Sequence, residues 1–212
     1  DNDELYDEAI KYYANILTPF SKFVVNKIEE VVALNIPIEM ICPSHGIIWR
    51  DNPLQIITKY MEWAKSYQEN QVTIIYDTMW NGTRRMAEAI AEGIKSKDEN
   101  VAIKLFNCAK RDKNDIITEV FKSKMILVGS STINNGILTA VAAMLEMIKG
   151  LKFTNKKAAA FGSYGWSGES VKIITDSLKD AKFDVVNDGI KEMWNPDEEA
   201  LERCREFGKS LL

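Results

Sequence analysis

The sequence predicts an α/β fold, a five-stranded parallel sheet with helices on both faces, preceded by a largely helical segment from another domain. Three observations carry this reading. From Val72 onward, short apolar runs alternate with segments whose apolar residues recur at helical spacing. The first of these runs, Val72 to Tyr76, is apolar and β-branched, the kind that reads as a strand buried on both faces. The loops after the first, third and fourth runs are rich in Ser, Thr, Asn and Gly.

The elements follow in order. Asp1 to Leu34 reads as helical: Leu5, Ala9, Tyr12, Tyr13 and Ile16 form one stripe, Pro19 interrupts it, and Phe23 to Leu34 gives a second. Ile38 to Cys42, between Pro37 and Pro43, suits a short strand, with Pro43-Ser44-His45-Gly46 as its loop. Two helices, a strand and a loop are too little for an independent domain, so residues 1–50 read as the tail of a larger one. Asp51 or Asn52 can cap a helix with Pro53 in its first turn, continuing through Leu54, Ile57, Tyr60, Met61 and Ala64. Residues 51–70 therefore read as a connecting helix ending in a polar patch, and 71–212 as the second domain.

That second domain opens with Val72 to Tyr76 as a strand, Asp77 to Thr83 as a loop, and a helix from Gly82 through Met86, Ala87, Ile90, Ala91 and Ile94. Val101–Phe106, Met125–Val128, Ala158–Phe161 and Phe183–Val186 are the remaining strands. Asp112–Lys122, Leu138–Lys149, Glu169–Ala181 and Pro196–Leu212 are the remaining helices. Right-handed crossovers leave few arrangements. We expect the order 2-1-3-4-5, although alternation alone does not fix it.

Composition narrows the function classes. The 212 residues carry a formal charge of −4, which argues against nucleic acid because a phosphate backbone needs a basic patch. No apolar run reaches membrane-spanning length, and the acidic start DNDELYDE does not read as a signal peptide. Cys42, Cys108 and Cys204 are isolated and odd in number, which suits free thiols in a reducing cytoplasm.

The chemistry lies in the loops. A strand, a short loop and a helix place unpaired N–H groups and the positive end of a helix dipole at one point, a place suited to an anion. Thr78 to Thr83 contains no lysine, so it looks built to hold a phosphate with amides and hydroxyls rather than to transfer one. In such a sheet, ligands sit beyond the carboxyl ends of the strands where the order reverses. That point gathers this loop with Ser130-Ser131-Thr132-Ile133-Asn134-Asn135-Gly136 and Ser163-Tyr164-Gly165-Trp166-Ser167-Gly168. There is no G-x-x-x-x-G-K-[ST] and no G-x-G-x-x-G after the first strand, and Asp77 alone does not make an acidic phosphoacceptor cluster.

Thr78-Met79-Trp80-Asn81-Gly82-Thr83 resembles the phosphate loop of flavodoxins, T-x-T-x-x-T, with Trp80 at the middle hydroxyl position. YDTMW, GSSTINNG and SYGWSGE look like the flavodoxin domain of flavodiiron proteins, and PSHGIIWR extends the resemblance toward the start of the chain. The resemblance implies a flavodoxin-like domain binding FMN, preceded by the tail of a metallo-β-lactamase-like domain. Thr78, Thr83 and the amides from Met79 to Gly82 would serve the phosphate. Trp80, Tyr164 and Trp166 would wall the isoalloxazine ring, while Asn134, Gly136 and Gly165 allow close backbone approach. Ser131, Thr132, Ile133, Asn135, Ser163, Ser167 and Gly168 complete the expected cofactor loops.

The resemblance also implies a di-iron centre that reduces O2 to water or NO to N2O, fed by a donor such as rubredoxin, in a head-to-tail homodimer. His45, in the HGxxWR-like stretch, would be an iron ligand. The family's H-x-E-x-D-H motif is missing, so this chain cannot assemble the metal site alone: either it is a fragment, or the other half is a separate chain. Glu39, Asp51 and the N-terminal acids read as a solvated face. Two rival readings are a stand-alone flavodoxin-like electron carrier and an FMN-dependent quinone reductase.

Overall fold

An apolar stripe gives α1 (Asn2–Tyr12), and the chain stays helical from there to Ala33. These come from a computed structural model that describes residues 2–212, so Asp1 lies outside the described residues. Pro19 alters the helix without ending it. A π-helical turn (Tyr13–Leu17) and a 3-10 turn (Thr18–Phe20) lead into α2 (Ser21–Ala33). The Thr18 hydroxyl donates to the carbonyls of Tyr13 and Ala14 at 3.2 and 3.0 Å, which serves groups freed by the altered turns. α3 (Leu54–Trp63) completes a first unit ending at Tyr67.

Two expectations fail in this unit. Ile38 to Cys42 is not a strand: only Ile41 pairs, antiparallel, with Trp49. A strand exists by its ladder, and among the described residues no second segment lies alongside to extend it. Neither Asp51 nor Asn52 caps α3. Pro53 itself takes the cap position, and Asn52 turns the chain with φ +49° while its carbonyl accepts from the Gln55 amide at 3.0 Å.

The second unit, Gln68 to Leu212, holds the sheet. Its elements are β1 (Glu69–Tyr76), α4 (Gly82–Lys97), β2 (Ala102–Asn107), α5 (Lys113–Lys122), β3 (Ser123–Gly129), β4 (Thr132–Ile133), β5 (Gly136–Ile137), α6 (Thr139–Leu151), β6 (Lys157–Tyr164), α7 (Glu169–Asp180), β7 (Asp184–Val185), β8 (Ile190–Met193) and α8 (Glu198–Ser210). The sheet runs β2-β1-β3-β6, with β7 and β8 both parallel to β6, which is the expected order 2-1-3-4-5. Val72, Ile74 and Ile75 of the central β1 are fully buried, which is why that run shows no alternation.

The fifth strand is the correction here. It comes in two pieces, because Asn187-Asp188-Gly189 turns the chain away after Val185 and returns it to β6 at Ile190. The Gly189 amide donates to the Asn187 side chain at 2.9 Å, and Gly189 takes φ +82°, where a side chain would be strained.

Two close approaches and one buried cation hold the layers together. A methyl group on Gly129 would stand 2.2 Å from Phe161, so that glycine makes room for the ring between β3 and β6. Helices α4 and α8 meet at Gly93 and Gly208, each facing the other helix's backbone. At the opposite end of the sheet from the cofactor loops, Lys156 Nζ donates to the carbonyls of Phe121 and Ser123 at 2.7 and 2.6 Å. It also lies about 6.0 Å from the ring of Phe153.

Burial pushes the Lys156 amine down to about 7, with the Glu69 carboxylate pulling the other way. The folded pKa is then below the ordinary 10.5, so between these values the unfolded chain binds more protons. Stability gained from this group rises as pH climbs through that window and is lost as pH falls toward 7. Thermal midpoints measured from pH 7 to 10 should therefore climb more steeply in the wild type than in Lys156→Met. Parallel curves would contradict the assignment.

Candidate functional site

The site grows from the carboxyl end of β1. The Asp77 amide pairs with the Gly129 carbonyl at 3.2 Å, keeping the first loop beside β3, and the Asp77 carboxylate accepts from the Thr78 amide at 2.8 Å. Asn81 then takes φ +63° and α4 starts at Gly82 with no side-chain cap. Among the described residues, the amides of Trp80, Asn81, Gly82 and Thr83 find no acceptor. The Thr78 hydroxyl is buried and also lacks a partner. A buried hydroxyl is normally satisfied, so Thr78, beside a helix start whose first amides are unpaired within the chain, marks a place for an acceptor supplied from outside it.

The loop after β3 is better ordered than its composition suggests. Asn134 and Asn135, both left-handed at φ +48° and +57°, make the two-residue turn of the hairpin β4–β5. The Asn135 side chain donates to Glu169 at 3.0 Å, which holds that carboxyl below its usual range. Thr132 donates to Ser170 at 2.9 Å, tying the hairpin to the start of α7.

The loop after β6 carries Tyr164, Gly165 and Trp166. Trp194, just past β8, donates its amide to the Tyr164 carbonyl at 2.6 Å in a left-handed backbone, φ +56°. Its ring lies edge-on to Trp166, with centroids 4.9 Å apart. A methyl group on Gly165 would stand 2.9 Å from that ring, so glycine is needed there for the approach. Trp80 and Trp166 are 84% and 90% exposed, so both indoles are free to cover something flat.

Together the loops enclose a cavity of about 680 Å³, within the range of small-molecule sites. Of the residues expected from sequence, Met79, Trp80, Gly82, the stretch Ser131 to Asn135 and the stretch Ser163 to Ser167 line it. Thr78, Asn81, Thr83, Gly136 and Gly168 do not. Thr83 is buried beneath the loops, and Gly168 caps α7. Trp194 and Asn195 line it without having been expected. The signal for them was an aromatic outside any periodic stripe, in Met193-Trp194-Asn195-Pro196, a stretch otherwise legible only as the approach to the last helix.

His45 lies elsewhere. It is exposed on its loop in the first unit, 5.7 Å from the Tyr12 ring, beside a cavity of about 500 Å³. Among the described residues, no three His, Cys, Asp or Glu side chains gather to hold a metal ion. The described residues therefore do not make up a metal centre by themselves.

Comparison with known proteins agrees with this geometry. The family model for flavodoxin matches residues 74–208. The anaerobic nitric oxide reductase flavorubredoxins of Klebsiella pneumoniae and Aliivibrio fischeri are 53% and 56% identical over 211 residues, which is 100% of this chain and 44% and 42% of theirs. The chain thus spans less than half the length of these curated relatives. Among solved structures, the rubredoxin oxygen:oxidoreductase of Desulfovibrio gigas superimposes with a TM-score of 0.88 at 37% identity, covering 94% of this chain and 50% of that one. The flavodiiron protein of Giardia intestinalis gives 0.88 at 33%, covering 95% and 50%. A match over most of the sheet, on the loops that enclose the cavity, shows that the chain belongs to the flavodoxin family.

Proposed function

We propose that this chain is the FMN-bearing half of a flavodiiron oxidoreductase. The observation that carries the reading is the set of partnerless donors at the start of α4, at the edge of a cavity walled by exposed indoles. A phosphate accepts from those amides and from Thr78, and the helix dipole favours its charge. Trp80, Tyr164, Trp166 and Trp194 cover the ring and keep water from it, while Asn134 and Gly165 let main-chain amides approach its polar edge. FMN, when bound, supplies one- and two-electron redox chemistry; the chain supplies binding, orientation and electrostatics.

In the whole protein, residues 1–50 close a metallo-β-lactamase-like domain, 51–70 connect, and 71–212 bind the flavin. His45 serves as one ligand of a di-iron centre whose other ligands lie outside this chain. Electrons come from a rubredoxin-type donor, and subunits pair head to tail in the cytoplasm. Nitric oxide is the favoured substrate, since the relatives above 50% identity are named nitric oxide reductases. Oxygen is the second reading, favoured by the 37%-identical neighbour named an oxygen oxidoreductase.

Titrating the flavin-free chain with FMN tests the core of this. One FMN per chain should bind, with quenching of flavin fluorescence by the indoles. Well-folded protein that takes up no FMN would sink the reading. For the metal half, full-length protein should contain iron, and folded, iron-free material would remove the di-iron assignment while leaving a flavodoxin-like carrier.

A further inference from the structure

We propose that Trp194 is a positioning residue: of the aromatics around the cavity it serves the flavin indirectly, by fixing the plane of Trp166. This rests on the FMN reading above. Contacts from two parts of the site converge on Trp194. Its amide donates to the Tyr164 carbonyl at 2.6 Å. Its ring meets that of Trp166 edge-on, with centroids 4.9 Å apart and planes at 78°. A methyl group on Gly165 would stand 2.9 Å from the same ring, and one on Gly82 would stand 3.2 Å from the Trp194 carbonyl oxygen. Two glycines that line the cavity thus face Trp194.

The backbone shows how firmly this residue is held. Trp194 takes φ +56°, a left-handed conformation that a bulky residue adopts only at a cost in free energy. Such conformations persist where the surroundings over-determine them. Here Met193 pairs with Tyr164 at the end of β8 on one side. On the other, the Asn195 side-chain oxygen accepts from Arg85 of α4 at 3.3 Å. Trp166 has no comparable support: it is 90% exposed, and its ring rests on the edge of Trp194. An indole free to swing would lose that freedom on covering a flavin, whereas one already held loses little.

Asparagine adopts the left-handed conformation readily, so Trp194→Asn removes the ring and keeps the backbone. The experiment measures FMN dissociation constants and the residual fluorescence of bound flavin for wild type, Trp194→Asn, Trp166→Ala and the double variant. It also records the ultraviolet circular dichroism of each flavin-free chain. Two indoles this close couple their transitions, which gives a paired positive and negative band that needs both rings.

The flavin-free wild type should show that band pair, and each single variant should lack it. Folded wild type without it would overturn the ring contact. Each single variant should weaken FMN about fivefold to tenfold, the worth of one aromatic pair, and leave the bound flavin brighter. Because Trp194 acts through Trp166, the double variant should bind about as Trp166→Ala does. Losses that multiply, or Trp194→Asn binding FMN as the wild type does, would overturn the proposal. If Trp194→Asn fails to fold, Trp194→Gly, which accepts the same backbone, decides by the same criteria. Wild type that shows the band pair and takes up no FMN would instead remove the reading beneath, and this role with it.

Discussion

Gly93→Ala is expected to destabilise the second unit by about 3 kcal/mol, at the upper end of what overpacking a well-filled interior costs. The added methyl group would stand 2.0 Å from the Arg205 carbonyl oxygen and 2.8 Å from its carbon. Both are backbone atoms of α8, so no side-chain rotation relieves the clash and the whole helix must move. Gly208 makes the reciprocal approach, its missing methyl 2.3 Å from the Ile90 carbonyl oxygen. Relaxing one contact therefore disturbs the other.

For a unit of this size, such a loss lowers the thermal midpoint by roughly 6–12 °C. Gly150→Ala is the control: it sits in α6 with nothing within 4 Å of the new methyl group. That change should stabilise slightly, by about 0.5–1 kcal/mol, because alanine restricts the unfolded chain and favours helix. Melting curves followed by circular dichroism check both. Equal midpoints for the two variants would contradict the close approach of α4 and α8.

FMN is expected to bind about a hundredfold or more tightly than riboflavin, which has the ring but no phosphate. Hydrogen bonds to a charged group contribute about 1.5–3 kcal/mol each, and two of the partnerless donors at the start of α4 already account for that ratio. Thr78→Val should remove about 1–3 kcal/mol of the FMN affinity and none of the riboflavin affinity, since in the proposed site its hydroxyl meets only the phosphate. Fluorescence titrations with the two flavins give all four constants. Riboflavin bound as tightly as FMN would show that the helix start is not where the phosphate sits.

Local pattern determined a good deal of this protein. The apolar run Val72 to Tyr76, the Asp112 cap of α5 and the Asp197 cap of α8 depend only on neighbours a few residues away. So do the three polar loops, whose composition announces itself wherever they end up. Ile38 to Cys42 shows the limit of that reasoning. Its residues suit a strand, but strand formation needs a partner, and only Ile41 finds one.

What tertiary structure alone decided are the meetings of residues far apart in the chain. Trp194 reaches the cavity because Asn187 to Gly189 detours the edge strand and returns it to β6, a path set by pairing rather than by propensity. Thr83, Ser131 and Ser163 lie in separate loops, and nothing in any one of them foretells that their hydroxyls meet. Lys156 is buried only because two carbonyls and a pair of phenyl rings converge on it. Sequence periodicity reports which face of an element is apolar; it carries no information about which distant face will cover it, and that choice is made when the layers pack.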